Sequence, residues 1–367
     1  MTVVERALLV VNRSSGVGHG REVADGLRAV FEELLGGVES RVEVVEDHGS
    51  ARRCVAEFLA GSEAMALVVA GGGSGTLRAV IEGLRDGSAG GELPGGKRVV
   101  VGALRMGSGN PVARWFGVPR DPEAGLRGIV ENLLAGRTAQ CCVMRCEVGA
   151  PGGGSEVRYA ATMCGFGQFG RVPGDLERLR RGLSGPRTVA AKLFGIEKVN
   201  NAEYVLAMFL RSVKSVLSGP SAAEVVEVRA KSQKEVFPLL AGVAMNFPVD
   251  ELPVDPETRV EEEAVSLYFA PFEGRASALR MVLAPRRLVR EAIRVRLEGA
   301  ERVEVRTAGR AEFFLDEDPV TFHDRLTLEV AGSLTFAPGP KYRFPAGVEA
   351  AKAPGTSATH KNLKPET

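Results

Sequence analysis

Short apolar runs alternate with amphipathic stretches over the first third of the chain. Leu8–Val11, Val42–Val45, Leu67–Ala70 and Val99–Ala103 each read as a strand. Between them, Gly20–Leu35 sets Val23, Leu27, Val30, Phe31 and Leu34 at helical spacing. Ala51–Leu59 and Thr76–Leu84 read as helices, the latter carrying Leu77, Val80, Ile81 and Leu84. Val112–Phe116 starts a short helix, and Pro122–Leu134 forms another. Strand–helix alternation with continuous apolar strands predicts a parallel sheet covered on both faces, an N-terminal three-layer α/β domain over residues 1–140.

The period changes near Gly149-Ala150-Pro151-Gly152-Gly153-Gly154, which reads as a hairpin turn between strands Cys142–Val148 and Val157–Met163. Strand signals then dominate: Ala222–Ala230, Val236–Met245, Ala264–Phe269, Arg302–Thr307, Ala311–Leu315 and Thr327–Ala331. They are short and separated by Gly, Pro and acidic turns, which predicts a C-terminal antiparallel β-sandwich domain over residues 141–345. A helical insert is expected at Ala202–Leu217 and a second helix at Leu288–Leu297. From about Glu349 the chain carries Lys, Pro, Thr and Ser with little large apolar content, and residues 346–367 read as a disordered tail.

Composition narrows the class. The chain has 367 residues, 44% hydrophobic and 25% charged, as expected of a soluble protein with two domains of ordinary size. A formal net charge of +1 gives no overall attraction to nucleic acid or membrane, so any electrostatic binding must come from a local patch, and a nucleic-acid partner is not expected. No apolar run approaches the roughly 18 residues of a spanning helix, and Met1–Arg6 reads as a strand lead-in and not a leader. Five cysteines, an odd number, argue against a disulfide framework and fit a reducing, cytoplasmic setting. Cys141, Cys142 and Cys146 lie close together with no histidine nearby, and read as buried strand thiols before they read as a zinc site.

Three glycine-rich turns supply the candidate chemistry. Asn12-Arg13-Ser14-Ser15-Gly16-Val17-Gly18 follows the first strand, Gly71-Gly72-Gly73-Ser74-Gly75-Thr76 the third, and Gly107-Ser108-Gly109-Asn110 the fourth. A strand that ends in glycines and opens a helix leaves backbone N–H groups uncovered at a positive helix end, an arrangement that suits phosphate. Glycine punctuates any loop, so one such turn says little. Three within the first 110 residues, each after an apolar strand, point to one edge of a parallel sheet built around a nucleotide.

These motifs resemble the diacylglycerol kinase catalytic superfamily of lipid kinases, with NAD kinases as more distant relatives. The family's Asn-Pro-x-Ser-Gly-x-Gly matches Asn12–Gly18, its Gly-Gly-Asp-Gly-Thr matches Gly72–Thr76, and its Pro-x-Gly-Thr-Gly-Asn-Asp matches Arg105–Pro111. Gly165-Phe166-Gly167 resembles the glycine turn that opens the second domain, and Leu315-Asp316-Glu317-Asp318 resembles its Leu-Asp-Gly-Glu. The resemblance implies a cleft between the two domains, ATP with Mg2+, and transfer of the γ-phosphate to the hydroxyl of a lipid of diacylglycerol or sphingoid type at a membrane surface. It places Asn12, Ser15, Gly16, Gly72, Gly73, Ser74, Gly75, Thr76, Arg105, Gly107, Ser108, Gly109 and Asn110 around the nucleotide and Asp316 as the proton acceptor. Such a protein is cytoplasmic or peripheral at the membrane; a homodimer is left open.

The departures from the pattern carry information. Ser74 stands at the aspartate of the second motif and Pro111 at that of the third, while Arg13 and Arg105 replace prolines. Two acidic positions lost and two cations gained favour a bare phosphate over a metal–phosphate complex, because a hydroxyl does not give magnesium the charge of a carboxylate. The magnesium site is therefore the weakest part of the implied chemistry. Each change also has a plain alternative: Asn110 and Pro111 as a helix start, Ser74 as a helix cap, and the arginines as solvated side chains. On that alternative the fold binds a nucleotide or a phospholipid and transfers nothing. Glu46, Asp47 and Glu82 are candidates for a replacement carboxylate. Arg171, Arg178, Arg180, Arg181, Arg187, Lys192 and Lys198 form a basic stretch that reads as a solvated face or a headgroup patch, and Glu261-Glu262-Glu263 as a polar loop.

Overall fold

The computed structural model describes residues 4–13, 15, 21–60, 64–88, 99–107, 110–182, 200–219, 224–230, 233–246, 259–283, 290–316 and 318–344. The tail at 346–367 lies outside them.

The apolar runs of the first third form the centre of a parallel sheet. β1 (Arg6–Asn12) pairs with β2 (Glu39–Val45) on one side and β3 (Ala66–Gly72) on the other, and β3 pairs with β4 (Val99–Arg105). β1, β3 and β4 are buried almost throughout, because helices cover both faces. β2, at the edge, is mostly exposed. α1 (Arg21–Leu34) packs with α5 (Pro122–Leu134), and α2 (His48–Leu59) packs with α3 (Ser74–Asp86). Local chemistry fixes the helix starts. Asp47 and Ser50 form a reciprocal cap on α2, and Asp121 accepts from the Ala124 N–H ahead of α5, whose first residue is Pro122. The strand order β2-β1-β3-β4 makes β1 and β3 neighbours although α1 and α2 intervene. Their C-terminal ends, where two of the glycine turns begin, therefore lie side by side at a reversal of strand order, the usual ligand crevice of such sheets.

The second half is antiparallel. β5 (Ala139–Gly149) and β6 (Ser155–Ala160) form the expected hairpin. After β7 (Met163–Phe166) come α6 (Gly167–Gly170), α7 (Val172–Gly182) and α8 (Asn200–Ser218), the helical insert. β8 (Glu224–Ala230), β9 (Gln233–Met245) and β10 (Ala264–Pro271) follow, then α9 (Arg275–Leu283), β11 (Ile293–Glu298), β12 (Arg302–Leu315) and β13 (Asp318–Phe336). These strands enclose a second core that includes Cys146, Phe166, Leu267, Phe313 and Leu326. The two strands read at 302–307 and 311–315 are one, β12, interrupted by a register shift beside Gly309 at φ +99°. The strand read at Val157–Met163 is two, broken at Ala161 and Thr162.

One expectation is overturned over most of its length. Of the helix expected at Leu288–Leu297, Arg290 and Glu291 are helical, but Ile293–Glu298 is β11, paired antiparallel with β10, and Leu288 and Val289 lie outside the described residues. Ile293, Val295 and Leu297 alternate with Arg294, Arg296 and Glu298, a period of two, and the neighbouring edge of β10 satisfies the backbone that a helix would have paired internally.

β13 belongs to both halves. It runs antiparallel to β12 and β5, and then Thr335 and Phe336 lie parallel to Val100 and Val101 of β4. Beyond its end, Asn132 of α5 donates to the carbonyls of Pro338 and Gly339 at 2.8 and 3.0 Å. Phe336 is buried and stacks on Phe116, just after α4 (Pro111–Trp115), with ring centroids 4.4 Å apart. Phe336→Ala is expected to cost about 3–5 kcal/mol of unfolding free energy in urea titration. A loss below about 1 kcal/mol would contradict the placement of this ring as a joint between the two halves.

Candidate phosphate-binding cleft

The glycine turns after β1, β3 and β4 meet. Asn12 Nδ2 donates to Thr76 Oγ1 at 3.1 Å, and Ser15 Oγ lies 3.5 Å from the same hydroxyl. A Cβ on Gly72 would stand 2.1 Å from Thr76 Oγ1, so only glycine lets Thr76 fold back over the strand end. A Cβ on Gly107 would stand 2.5 Å from the Gly73 Cα, so the second and third turns touch through backbone alone. Asn110 adopts the left-handed conformation at φ +52°, and its side chain turns back to both the N–H and the C=O of Gly107. Asn110 thus precedes α4 without capping it by its side chain, while Pro111 takes the first turn as expected. Gly16, Ser108 and Gly109 lie outside the described residues.

α3 opens directly from the second turn. Its N-cap is Gly73, not Ser74, and no side chain caps it. The Ser74 hydroxyl is buried without a hydrogen-bond partner. The positive end of a thirteen-residue helix therefore faces the cleft uncapped by any side chain.

Asp318 supplies a carboxylate at that helix start. A Cβ on Gly75 would lie 3.0 Å from Asp318 Oδ2. Arg78, one turn into α3 and buried, pairs with Asp318 at 2.7 Å and donates to the Leu315 carbonyl at 3.2 Å. Asp316 does not project into the cleft. Its side chain is 1% exposed and accepts hydrogen bonds from the N–H groups of Ala161, Thr162 and Met163 and from the Thr162 hydroxyl. Burial pushes its carboxyl above the ordinary carboxylate range, against the hydrogen bonds and the charge of Arg78. The break between β6 and β7 is the socket that Asp316 fills. The sequence alone gives Arg78 and Asp318 no role, although a cation four residues before Glu82 on one helix face and a second acid two residues after Asp316 are both legible in it.

Further along α3, Glu82 is fully buried and bonds His48 Nε2 at 2.9 Å, with Arg52 and Arg158 at 3.3 and 3.8 Å. Burial raises the Glu82 pKa, but the His48 bond and the charges of His48, Arg78 and Arg158 outweigh it and hold it below the ordinary value. The other two replacement candidates serve elsewhere: Asp47 caps α2, and Glu46 pairs with Arg13 at 3.6 Å in solvent. Arg105 ends β4 level with Gly72 and carries a buried, unpartnered Nε. Burial, then the like charges of Arg120 and Arg114, lower its pKa. A half-buried guanidinium among cations is an arrangement that an anion would relieve.

The described residues do not fit a protein-held magnesium ion. No group of three His, Cys, Asp or Glu side chains comes together among them, and the acid beside Gly75 is already paired to Arg78. Glu261 instead accepts from Trp115 and Tyr342, and Glu262 pairs with Arg296. All five cysteines are free, and burial pushes the Cys142 thiol up to about 12, which keeps it protonated and unreactive. In the basic stretch, Arg171 pairs with Glu224 and Glu312, and Arg178 with Asp175. The side chains of Arg180 and Arg181, together with Arg187, Lys192 and Lys198, lie outside the described residues.

Comparison with known proteins agrees with the motifs. Residues 6–146 match the diacylglycerol kinase catalytic domain family. A "Probable lipid kinase YegS-like" protein of Pseudomonas aeruginosa (strain UCBPP-PA14) is 37% identical over 110 residues, 29% of this chain and 33% of that one. A protein of the same name from Yersinia pestis (strain Pestoides F) is 33% identical over 126 residues, 34% of this chain and 38% of that one. The chain thus spans about a third of the length of the curated relatives it matches. A diacylglycerol kinase structure from Bacillus anthracis str. Sterne superposes with a TM-score of 0.57 at 14% identity, covering 93% of this chain and 99% of that one. Yeast NADH kinase complexed with NADH superposes at 0.50 with 8% identity, covering 92% and 85%. At these identities the likeness shows the fold: a parallel α/β sheet followed by antiparallel strands.

The buried charge cluster sets an expectation for acid stability. Glu82 titrates lower in the folded protein than in the unfolded chain, so its contribution is complete above the ordinary value of 4.5 and is lost as the pH falls through the lowered one. Glu82→Gln is expected to flatten the acid limb of a thermal-midpoint profile below that value. An unchanged limb would show that the cluster does not govern acid unfolding.

Proposed function

We propose that this protein is a lipid-kinase-like phosphotransferase that passes the γ-phosphate of ATP to the hydroxyl of a diacylglycerol or sphingoid lipid. The observation that carries this reading is the meeting of the three glycine turns at the start of α3, with one carboxylate, Asp318, standing over Gly75. The backbone of the turns, Asn12, Ser15, Thr76 and Arg105 face the phosphates. In this chemistry the protein positions the phosphates and neutralises their charge. The lipid oxygen attacks the γ-phosphorus, the bond to the ADP oxygen breaks, and the hydroxyl proton passes to a carboxylate. Asp318 is half exposed and stands at the cleft, so we assign it that proton. Asp316 organises the turn that presents Asp318. The lipid acceptor places the protein at a membrane surface while it works.

A second reading has its own support. Asp318 is held by Arg78, Ser74 replaces an acid, and no metal cluster forms among the described residues, as in a protein that binds a nucleotide or a phospholipid and transfers nothing. Both readings share one feature, recognition of phosphate by arginine and backbone more than by a metal.

Two measurements separate them. In calorimetric titration, ATP is expected to bind in chelator almost as well as in magnesium, and more weakly as salt rises. Arg105→Ala is expected to weaken it about tenfold, and Ser74→Ala much less, because a charge-assisted contact is worth about twice a neutral one. Binding that vanishes in chelator would show a metal site this arrangement lacks. In turnover of a diacylglycerol in mixed micelles, Asp318→Asn is expected to lower kcat on the order of a hundredfold while sparing ATP affinity. No turnover by the parent protein, with ATP binding intact, favours the second reading.

A further inference from the structure

α8 is amphipathic in the inverse sense. Its inward face carries Arg211, Ser212 and Ser215, all buried. Its outward face carries Phe209, Leu210, Val213 and Leu217, with Phe209 50% and Leu217 75% exposed. The inward polar groups are used: Arg211 pairs with Asp175 of α7 and lies 3.5 Å from Gln168, and Ser215 donates to the Arg211 carbonyl. α9, packed against α8, repeats the inversion. Ser277 and Ala278 are buried, Ser277 donates to the Gly274 carbonyl, and Leu279 and Leu283 point outward, the latter 72% exposed. Val216, Phe272 and Ala278 close the seam between the helices and the sheet. Single exposed apolar residues are ordinary, but neighbouring helices with polar groups inward and large apolar groups outward are not suited to water.

The charges on this face choose its partner. Lys214 of α8 and Arg275 of α9 are exposed, and no carboxylate occurs on the described side chains of 207–219 or 275–283. The C-terminal end of α8 meets the start of α9, where a Cβ on Gly219 would lie 3.4 Å from Arg275 Nε. Arg280, beside them, is taken by Glu273 and Glu291. A second copy docked about a two-fold axis would set these cations against their own kind. An anionic headgroup layer complements them, and its acyl boundary accepts the leucines and the phenylalanine. No helix among the described residues is long and apolar enough to cross a membrane, so the contact lies on a bilayer and not through it.

We infer that the outward face of α8 and α9 is a docking surface for an anionic lipid bilayer, which seats the protein where a lipid acceptor would be met. The inference gains its purpose from the proposed lipid acceptor, yet it is tested by binding alone. In flotation assays with the full chain, vesicles of phosphatidylcholine containing phosphatidylglycerol are expected to carry the protein, and vesicles of phosphatidylcholine alone to carry much less. The pair Phe209→Glu and Leu217→Glu is expected to lower flotation on the order of tenfold or more, because both side chains would have to enter the acyl boundary. The pair Lys214→Ala and Arg275→Ala is expected to remove the preference for phosphatidylglycerol. Thermal midpoint and ATP affinity, read on the same samples, are expected to stay at the parent values. Absence of flotation by the parent protein, undiminished flotation of the glutamate pair, or a dimer in sedimentation that the glutamate pair dissolves would overturn the inference. Flotation retained by a protein that fails to bind ATP would overturn the phosphotransfer reading and leave the docking surface standing.

Discussion

The Arg78 guanidinium joins the two halves of the molecule at the mouth of the cleft. From one turn inside α3 it reaches the Leu315 carbonyl and the Asp318 carboxylate, both at the hairpin between β12 and β13. A buried guanidinium must be paired, and here its partners come from the other half of the chain. That requirement fixes where the acidic turn sits relative to the glycine turns. Asp316 locks the same turn from the opposite side through the amides of Ala161, Thr162 and Met163. The shared strand β13 adds covalent continuity, running from this turn into the parallel sheet beside β4.

The electrostatics of the cleft follow from this anchoring. Asp318 is spoken for by Arg78, Ser74 gives no charge, and Arg105 waits without an acid partner among its described neighbours. Among the described residues the cleft is thus rich in donors and poor in free carboxylates, the composition that the proposed phosphate contacts call for. Behind it, Glu82 collects His48, Arg52 and Arg158 on the far part of α3 and holds α2 and β6 against the helix that opens the cleft.

Local signals in the sequence were sufficient where one period or one cap decides the outcome. Pro122–Leu134 is a helix over the expected residues because Asp121 and Pro122 start it unambiguously. The three glycine turns meet because adjacent parallel strands leave no other place for them. The helix expected at Leu288–Leu297 gives way to a strand from Ile293 because the edge that this strand pairs with lies on the far side of α9 in the chain. The motif gives the place of Asp316 in the chain and not the direction of its side chain, so an acid expected at the cleft turns inward. Its direction depends on amides 153 to 155 residues earlier. Arg78 was silent for the same reason, and the inward polar face of α8 is visible only once Asp175 is seen beneath it.

The claim on which most depends is that Arg78 and Asp318 act as one unit holding the acidic turn to the glycine turns. A double-mutant cycle of Arg78→Ala and Asp318→Ala, followed by urea unfolding, measures this directly. A coupling of about 1 kcal/mol is expected for a half-exposed acid on a buried partner, with the double variant little worse than Arg78→Ala alone. Strictly additive losses would contradict it, because the two side chains would then stabilise the fold independently and the cleft would owe its geometry to something else.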